Sequence, residues 1–267
     1  MWNYVVPHFI DLPSSKSSKA TYNILLHSQR GHGQSTLPSA SEDQDKKSVT
    51  IPLLATDIAN LLEALSIPTP VHSLIGVSQG GATALAFGGL YKTSKSIVVC
   101  DTAPRTPQGN KEAWEERIDL AQREGMSALA NVTVPRWFPQ GSICNEATSD
   151  SLIGKRRAQW VRRMVQKTNF AGFAAGARAL SDYDLIDDGG GINILRSDVE
   201  HIMLVAGTLD GGGKVGKGLR DLSAAWNAER TKVPAVFYKE INEAGHLPMI
   251  DSPEAFSAAV GRWLQNF

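Results

Sequence analysis

The sequence is poor in cysteine, in long apolar runs and in net charge. Only two cysteines occur, Cys100 and Cys144, so no disulfide framework can be built and no cysteine pair has zinc-ligand spacing. Cys100 closes the run Ile97-Val98-Val99-Cys100, where a buried, unreactive thiol is expected. No apolar run approaches the ~20 residues needed to span a bilayer. The opening residues, Met1-Trp2-Asn3-Tyr4-Val5-Val6-Pro7-His8, lack the basic head and apolar stretch of a signal peptide, so a cytosolic location is the expectation. Basic and acidic residues number 27 each. No overall field therefore draws the chain to nucleic acid or to an anionic membrane, and a small, locally recognised molecule is the expected partner.

What is present is the rhythm of an α/β sheet. At 267 residues the chain is long enough for one large domain, or for one domain carrying an insertion. Short apolar runs at 22–27, 71–77, 95–100, 201–207 and 235–241 read as buried strands. Helical patterns lie between several of them: apolar positions Leu54, Ile58, Leu61, Leu62 and Leu65, a small-residue helix over 79–91, and a closing helix over 253–267. Strands alternating with helices predict a mostly parallel sheet. Residues 36–50 are polar and read as a mobile loop. The interval from 110 to 185 holds helical patterns only, for example 114–123 and 156–166, and reads as a helical insertion over the sheet edge. Gly189, Gly190 and Gly191 mark its return. The expected division is a core in two parts, 1–108 and 189–267, with a helical cap over 109–188.

Gly76-Val77-Ser78-Gln79-Gly80 has the form Gly-x-Ser-x-Gly. As a string it is weak, since a chain of this length carries about 0.1 such match by chance. Its setting adds the weight. The motif follows an apolar strand directly and opens a helix of small residues, the context in which it places a nucleophile. A sharp strand-to-helix turn strains the serine backbone and pushes its hydroxyl above the sheet. Glycines on either side, with Gly81 and Ala82 following, are expected to remove side chains that would collide there. The helix N-terminus then offers free N–H groups, from Gln79 onward, to a developing oxyanion. The competing reading is a glycine-rich turn with an incidental serine.

Serine needs a base to act near neutral pH. Of the six histidines, His246 in Glu243-Ala244-Gly245-His246-Leu247-Pro248 lies between the last strand and the final helix. That is the carboxyl end of a strand, where α/β sheets place functional groups. His32, in Arg30-Gly31-His32-Gly33, is the competitor and is expected to stabilise its own turn. His8, His27, His72 and His201 lie in or beside apolar segments and read as structural. A carboxylate should orient the base and stabilise its charge. Asp210, after the strand at 201–207, completes the order Ser, Asp, His. Asp101, after the strand at 95–100, is the alternative acid or a turn cap. Asp187 and Asp188 read as solvated loop charges.

With these residues in hand, the chain resembles the 3-oxoadipate enol-lactonase branch of the α/β-hydrolases over nearly its whole length. Arg30-Gly31-His32-Gly33-Gln34-Ser35 is similar to the turn after the fourth strand of that fold. Residues 76–80 resemble its nucleophile elbow, 206–210 its acid loop, and Gly245-His246 its histidine loop. These motifs are common to many hydrolases. Arg136-Trp137-Phe138 is nearer to the branch itself, resembling the motif that sets a tryptophan over the lactone pocket. Phe170-Ala171-Gly172-Phe173-Ala174-Ala175, Asp182-Tyr183-Asp184-Leu185 and Cys100-Asp101-Thr102-Ala103-Pro104-Arg105 also have its look. Trp137 equally fits a helical core aromatic.

Met1-Trp2 resembles a dipeptide that stands shortly after the third strand and the His-Gly oxyanion loop of that family. The resemblance thus implies that strands one to three, and one of two oxyanion donors, have no counterpart here. The alternative is that 22–27 pairs directly with 71–77. The resemblance further implies hydrolysis of a small ester or lactone, with Ser78 attacking, His246 as base, Asp210 orienting it, and Gln79 N–H at the oxyanion. Trp137 would face the substrate, and no metal or organic cofactor is needed. A general carboxylesterase or acyl-transfer enzyme, and a non-catalytic ligand-binding protein on the same fold, are the other readings.

Overall fold

The computed structural model describes residues 1–10, 22–37, 49–186, 192–229 and 235–267. Four strands, β1 (Leu74–Val77), β2 (Ser96–Cys100), β3 (His201–Gly207) and β4 (Phe237–Ile241), form one parallel sheet in sequence order. Every residue of β2 is buried, as a central parallel strand covered on both faces requires. Its side chains alternate between two cores. Ile97 and Val99 join Ile202, Leu204 and Ala206 of β3 on one face, and Val98 and Cys100 join Met203 and Val205 on the other.

Helices cover the first face. Helix α2 (Ile51–Ala64) starts at Thr50, whose hydroxyl accepts the Leu53 N–H, and buries the stripe Ile51, Leu54, Ala55, Ile58 and Leu62. Helix α3 (Gln79–Leu90) buries most of its length. Its small residues permit that approach, because a Cβ on Gly81 would stand 2.9 Å from Cys100 O. Leu219, Leu222 and Trp226 of helix α7 (Lys214–Glu229) complete this core. The second face is covered by the short helices α1 (Val6–Ile10) and α8 (Pro248–Asp251) and by α9 (Pro253–Leu264), which contribute Phe9, Ile250, Phe256 and Val260.

Between β2 and β3 lie three helices, α4 (Asn110–Trp137), α5 (Leu152–Lys167) and α6 (Phe170–Ser181). All three fall within the interval 110–185. Helix α4 is kinked at Gly125 (φ 85°, ψ 170°) and carries Pro135 near its end. A bridge between Arg105 and Asp184 ties together the start and finish of the block. No helix among the described residues is long and apolar enough to cross a membrane. The predicted loop over 36–50 falls largely, at 38–48, outside the described residues, as do Asp187, Asp188 and the three glycines 189–191.

One expected strand is not formed. Residues 22–27 make no ladder with β1, and Leu25 and Leu26 remain 46% and 51% exposed. Direct pairing of 22–27 with 71–77 is therefore corrected. Apolar patterning marks which side chains avoid water, but a strand also needs a neighbour's backbone to bond to. A cavity of about 820 Å³ is lined by both segments. Among the described residues β1 is paired on one side only, with β2.

Candidate active site

Ser78 sits at the junction of β1 and α3 with φ 55° and ψ −120°. Positive φ is costly for a residue with a Cβ, and its surroundings hold it there. The Ser78 N–H donates to Cys100 O at 2.9 Å, pinning the turn to β2. A Cβ on Gly76 would fall 2.0 Å from Gly80 O, so the turn closes only over a glycine. The expectation for Gly80 needs correction: a Cβ there meets nothing within 4 Å. Steric demand falls on Gly76, which faces the backbone of α3, and on Gly81, which faces Cys100 O and the Thr102 side chain, while Gly80 faces open space.

The Gln79 N–H opens α3, in the first turn, where no preceding helical carbonyl accepts it. Its side chain ties two distant segments together. Nε2 donates to Gly176 O of α6 at 2.8 Å, and Oε1 accepts from Gln29 Nε2. The adjoining turn is pressed onto the same helix: a Cβ on Gly172 would lie 1.8 Å from Gly31 O. Arg30 anchors that turn to α2 through two bonds to Asp57, at 2.9 and 2.5 Å. His32 lies beside Arg30 O at 3.2 Å within its own turn, and burial lowers its pKa. It faces the cavity but is held as a structural group.

His246 and Asp210 meet at 2.8 Å between Nδ1 and Oδ2. A carboxylate accepts, so Nδ1 carries the proton and Nε2 is left with its lone pair. The loops after β3 and β4 are packed tightly enough to fix this contact. A Cβ on Gly207 would stand 2.1 Å from Gly245 O, and Leu209 N–H donates to Ala244 O at 2.9 Å. Burial alone would raise Asp210. The His246 charge and hydrogen bond, with further help from Asp101 and Arg136, bring it below the ordinary carboxylate range. Asp101 does not bond His246; it lies behind Asp210.

Trp137, at the end of α4, stacks on His246 with ring centroids 5.9 Å apart and planes at 22°. The His246 N–H donates to Trp137 O at 2.9 Å. Ser78, Gln79, Trp137 and His246 all line the one cavity, together with side chains of α4, α5 and α6. Among the described residues no hydrogen bond joins Ser78 Oγ to His246, a contact that often tightens only on substrate binding. No group of three or more His, Cys, Asp or Glu among the described residues is placed to hold a metal ion.

Sequence reasoning missed Asp251. It is 2% exposed and accepts from Gly245 N–H at 2.7 Å, Ser142 Oγ at 2.8 Å and Cys144 N–H at 3.3 Å. These bonds clamp the histidine loop to the α4–α5 connection. The only trace in the sequence is a carboxylate in the otherwise apolar Leu247-Pro248-Met249-Ile250-Asp251. Cys100 and Cys144 are both buried and free, and burial pushes both thiols up.

The sequence model of the alpha/beta hydrolase family matches residues 1–259. Among curated proteins, 3-oxoadipate enol-lactonase 2 of Acinetobacter baylyi is 25% identical over 271 residues, covering 100% of this chain and 84% of that protein. Among solved structures, the enol-lactonase from Burkholderia xenovorans LB400 is similar with TM-score 0.71 and 26% identity, covering 89% of this chain and 79% of that one. A thermophilic esterase from Thermogutta terrifontis gives TM-score 0.69 at 22% identity, over 89% and 77% of the two chains, and shares the fold.

Proposed function

Because the chain belongs to the alpha/beta hydrolase family, we propose that it cleaves a small ester or lactone with Ser78, His246 and Asp210 as a catalytic triad. The observation that carries this reading is the Asp210–His246 bond of 2.8 Å, made by loops that bring the imidazole to the cavity lined by Ser78. In the first half-reaction Ser78 Oγ attacks the carbonyl carbon while His246 Nε2 takes its proton. Asp210 stays ionised and stabilises the imidazolium. The carbonyl oxygen becomes an oxyanion facing the Gln79 N–H at the start of α3. Collapse expels the alkoxide or enolate, which takes the proton from His246. Water, deprotonated by His246, then attacks the acyl carbon, and His246 returns that proton to Ser78 Oγ as the acid is released.

The substrate proposed is 3-oxoadipate enol-lactone, giving 3-oxoadipate. Two observations support it: the likeness to enol-lactonases over nearly the whole chain, and Trp137 stacked on the base where it can cover a flat lactone ring. In a lactone the leaving enol remains tethered to the acyl group, so one product forms. A general carboxylesterase is the second reading. The cavity of about 820 Å³ favours it, being near the upper end of pockets that hold drug-sized ligands.

A fluorophosphonate probe should label the protein, and Ser78→Ala should remove the label. Equal labelling of the two would overturn the assignment of Ser78. Turnover of the enol-lactone at least tenfold faster than simple aryl esters supports the first substrate reading. The reverse order supports the second.

A further inference from the structure

Behind the triad lies a second buried carboxyl group. Asp101, on the loop after β2, is 2% exposed and adopts φ 46°, a conformation few non-glycine residues take. Its N–H donates to Val205 O at 3.0 Å, and its Oδ1 accepts the Gly207 N–H at 2.9 Å. The backbone thus holds this side chain in one place. Its Oδ2 is buried, and among the described residues no N–H or O–H donor reaches it. Instead the carboxyl lies within hydrogen-bonding reach of the Asp210 carboxyl.

Two ionised carboxylates are both acceptors and cannot bond to one another; a proton must sit on one of them. The neighbours decide which. Asp210 faces the His246 Nδ1–H and the positive charge of Arg136. Among the described residues Asp101 faces the Gly207 N–H, Asp210 and the buried Cys100 thiol of the strand it follows. Burial and the charge of Asp210 push Asp101 well above the ordinary carboxylate range.

We propose that Asp101 is a positioning residue that keeps its proton through the catalytic cycle and donates it in a hydrogen bond to Asp210. The bond fixes the Asp210 carboxylate against His246 and shares part of its charge, so that the imidazole is neither misdirected nor made too basic to release its proton. The inference rests on the triad reading above. Asp101 itself does not line the cavity, so it acts through Asp210 and not on the substrate.

The test compares Asp101→Asn, which keeps an acceptor for Gly207 and supplies an N–H for Asp210, with Asp101→Leu, which supplies neither. Asp101→Asn should keep kcat within about threefold and leave the acid limb of the kcat/KM profile in place. Asp101→Leu should lose about 10- to 100-fold in kcat with KM unchanged, the scale of one charge-assisted hydrogen bond. An acid limb that moves down in Asp101→Asn would show that a negative charge had been removed, and would overturn the proposal. So would an equal loss of kcat in both variants.

Infrared difference spectra of Ser78→Ala provide a readout free of turnover. The C=O stretch of a protonated carboxyl group should be present at neutral pH and absent from the Ser78→Ala/Asp101→Asn protein. Its absence from the first protein, or its persistence in the second, would overturn the proposal whether or not the triad reading stands. Undiminished hydrolysis by Ser78→Ala would instead sink the triad reading and leave the infrared result intact.

Discussion

Replacing Gly76 by alanine places a Cβ 2.0 Å from Gly80 O, 2.3 Å from Gly80 C and 2.7 Å from Gly81 N. All three atoms are backbone, and all three belong to the first turn of α3. No rotamer change can relieve the overlap, so the helix must move away from β1. Overpacking usually costs about 1–3 kcal/mol where side chains can adjust; with backbone as all three nearest neighbours, ~3 kcal/mol or more is expected. For a chain of this size each kcal/mol corresponds to roughly 2–4 °C in Tm, which gives a fall of at least about 6 °C. Gly80→Ala is the paired control. Its Cβ meets nothing within 4 Å, its φ lies outside the left-handed region, and it sits early in a helix. Removing a glycine under those conditions stabilises by roughly 0.4–1 kcal/mol, raising Tm by about 1–4 °C. Calorimetry measures both, and fluorophosphonate labelling reports whether the serine stays reactive. Labelling should be lost in Gly76→Ala and retained in Gly80→Ala. A Gly80→Ala protein as destabilised as Gly76→Ala would refute the geometry of the turn.

Three further outcomes follow from the site. Asp210→Asn should reduce kcat by about 10³- to 10⁴-fold with the fold intact, since the amide can present its N–H to Nδ1 and favour the wrong tautomer; steady-state kinetics beside circular dichroism checks it. Asp251→Ala leaves the Gly245 N–H and Ser142 Oγ without their acceptor, and leaves the Cys144 N–H with Ser142 Oγ alone. Buried groups left in that state cost about 1–3 kcal/mol each, so urea denaturation should show a loss of at least ~2 kcal/mol together with a fall in kcat. Asp101 contributes a pH slope to stability. Its folded pKa is raised above the ordinary 3.8, so the native state binds its proton more tightly than the unfolded chain does. The native state therefore loses stability as pH rises from the unfolded value toward the folded one. Asp101→Asn should gain on wild type through that window, read as the difference between their unfolding free energies; a flat difference contradicts the raised pKa.

Much of the site is legible in one dimension because parallel strands announce themselves. Buried on both faces, β2 and β3 read as unbroken apolar runs, and the loops after β1, β3 and β4 deliver Ser78, Asp210 and His246 in chain order. The parts that were not legible depend on distance across the fold. Gly31 and Gly172 are each ordinary in sequence, and only their contact explains both. Asp251 is one carboxylate among many until three donors are seen to converge on it. Asp101 looked like a rival to Asp210, and the structure instead sets it behind Asp210 as a neighbour. The run at 22–27 carries the apolar pattern of a strand but lacks the ladder, because pairing belongs to two segments and a sequence pattern describes one.

Among the described residues strand β1 is bonded on one side only, and Ser78 hangs from its carboxyl end. In terms of local stability this places Ser78 on an edge rung of the described sheet, as β4 is the edge on the other side. Amides of the central strands β2 and β3 are expected to exchange only on wholesale unfolding, and those of β1 through a smaller opening toward the cavity. Slow exchange in the first group and fast exchange in the second would trace that gradient. Any molecule that fills the cavity alongside β1 opposes the opening, by an amount that grows with its concentration over its dissociation constant. Occupancy of the cavity and steadiness of the serine are thereby two readings of one equilibrium.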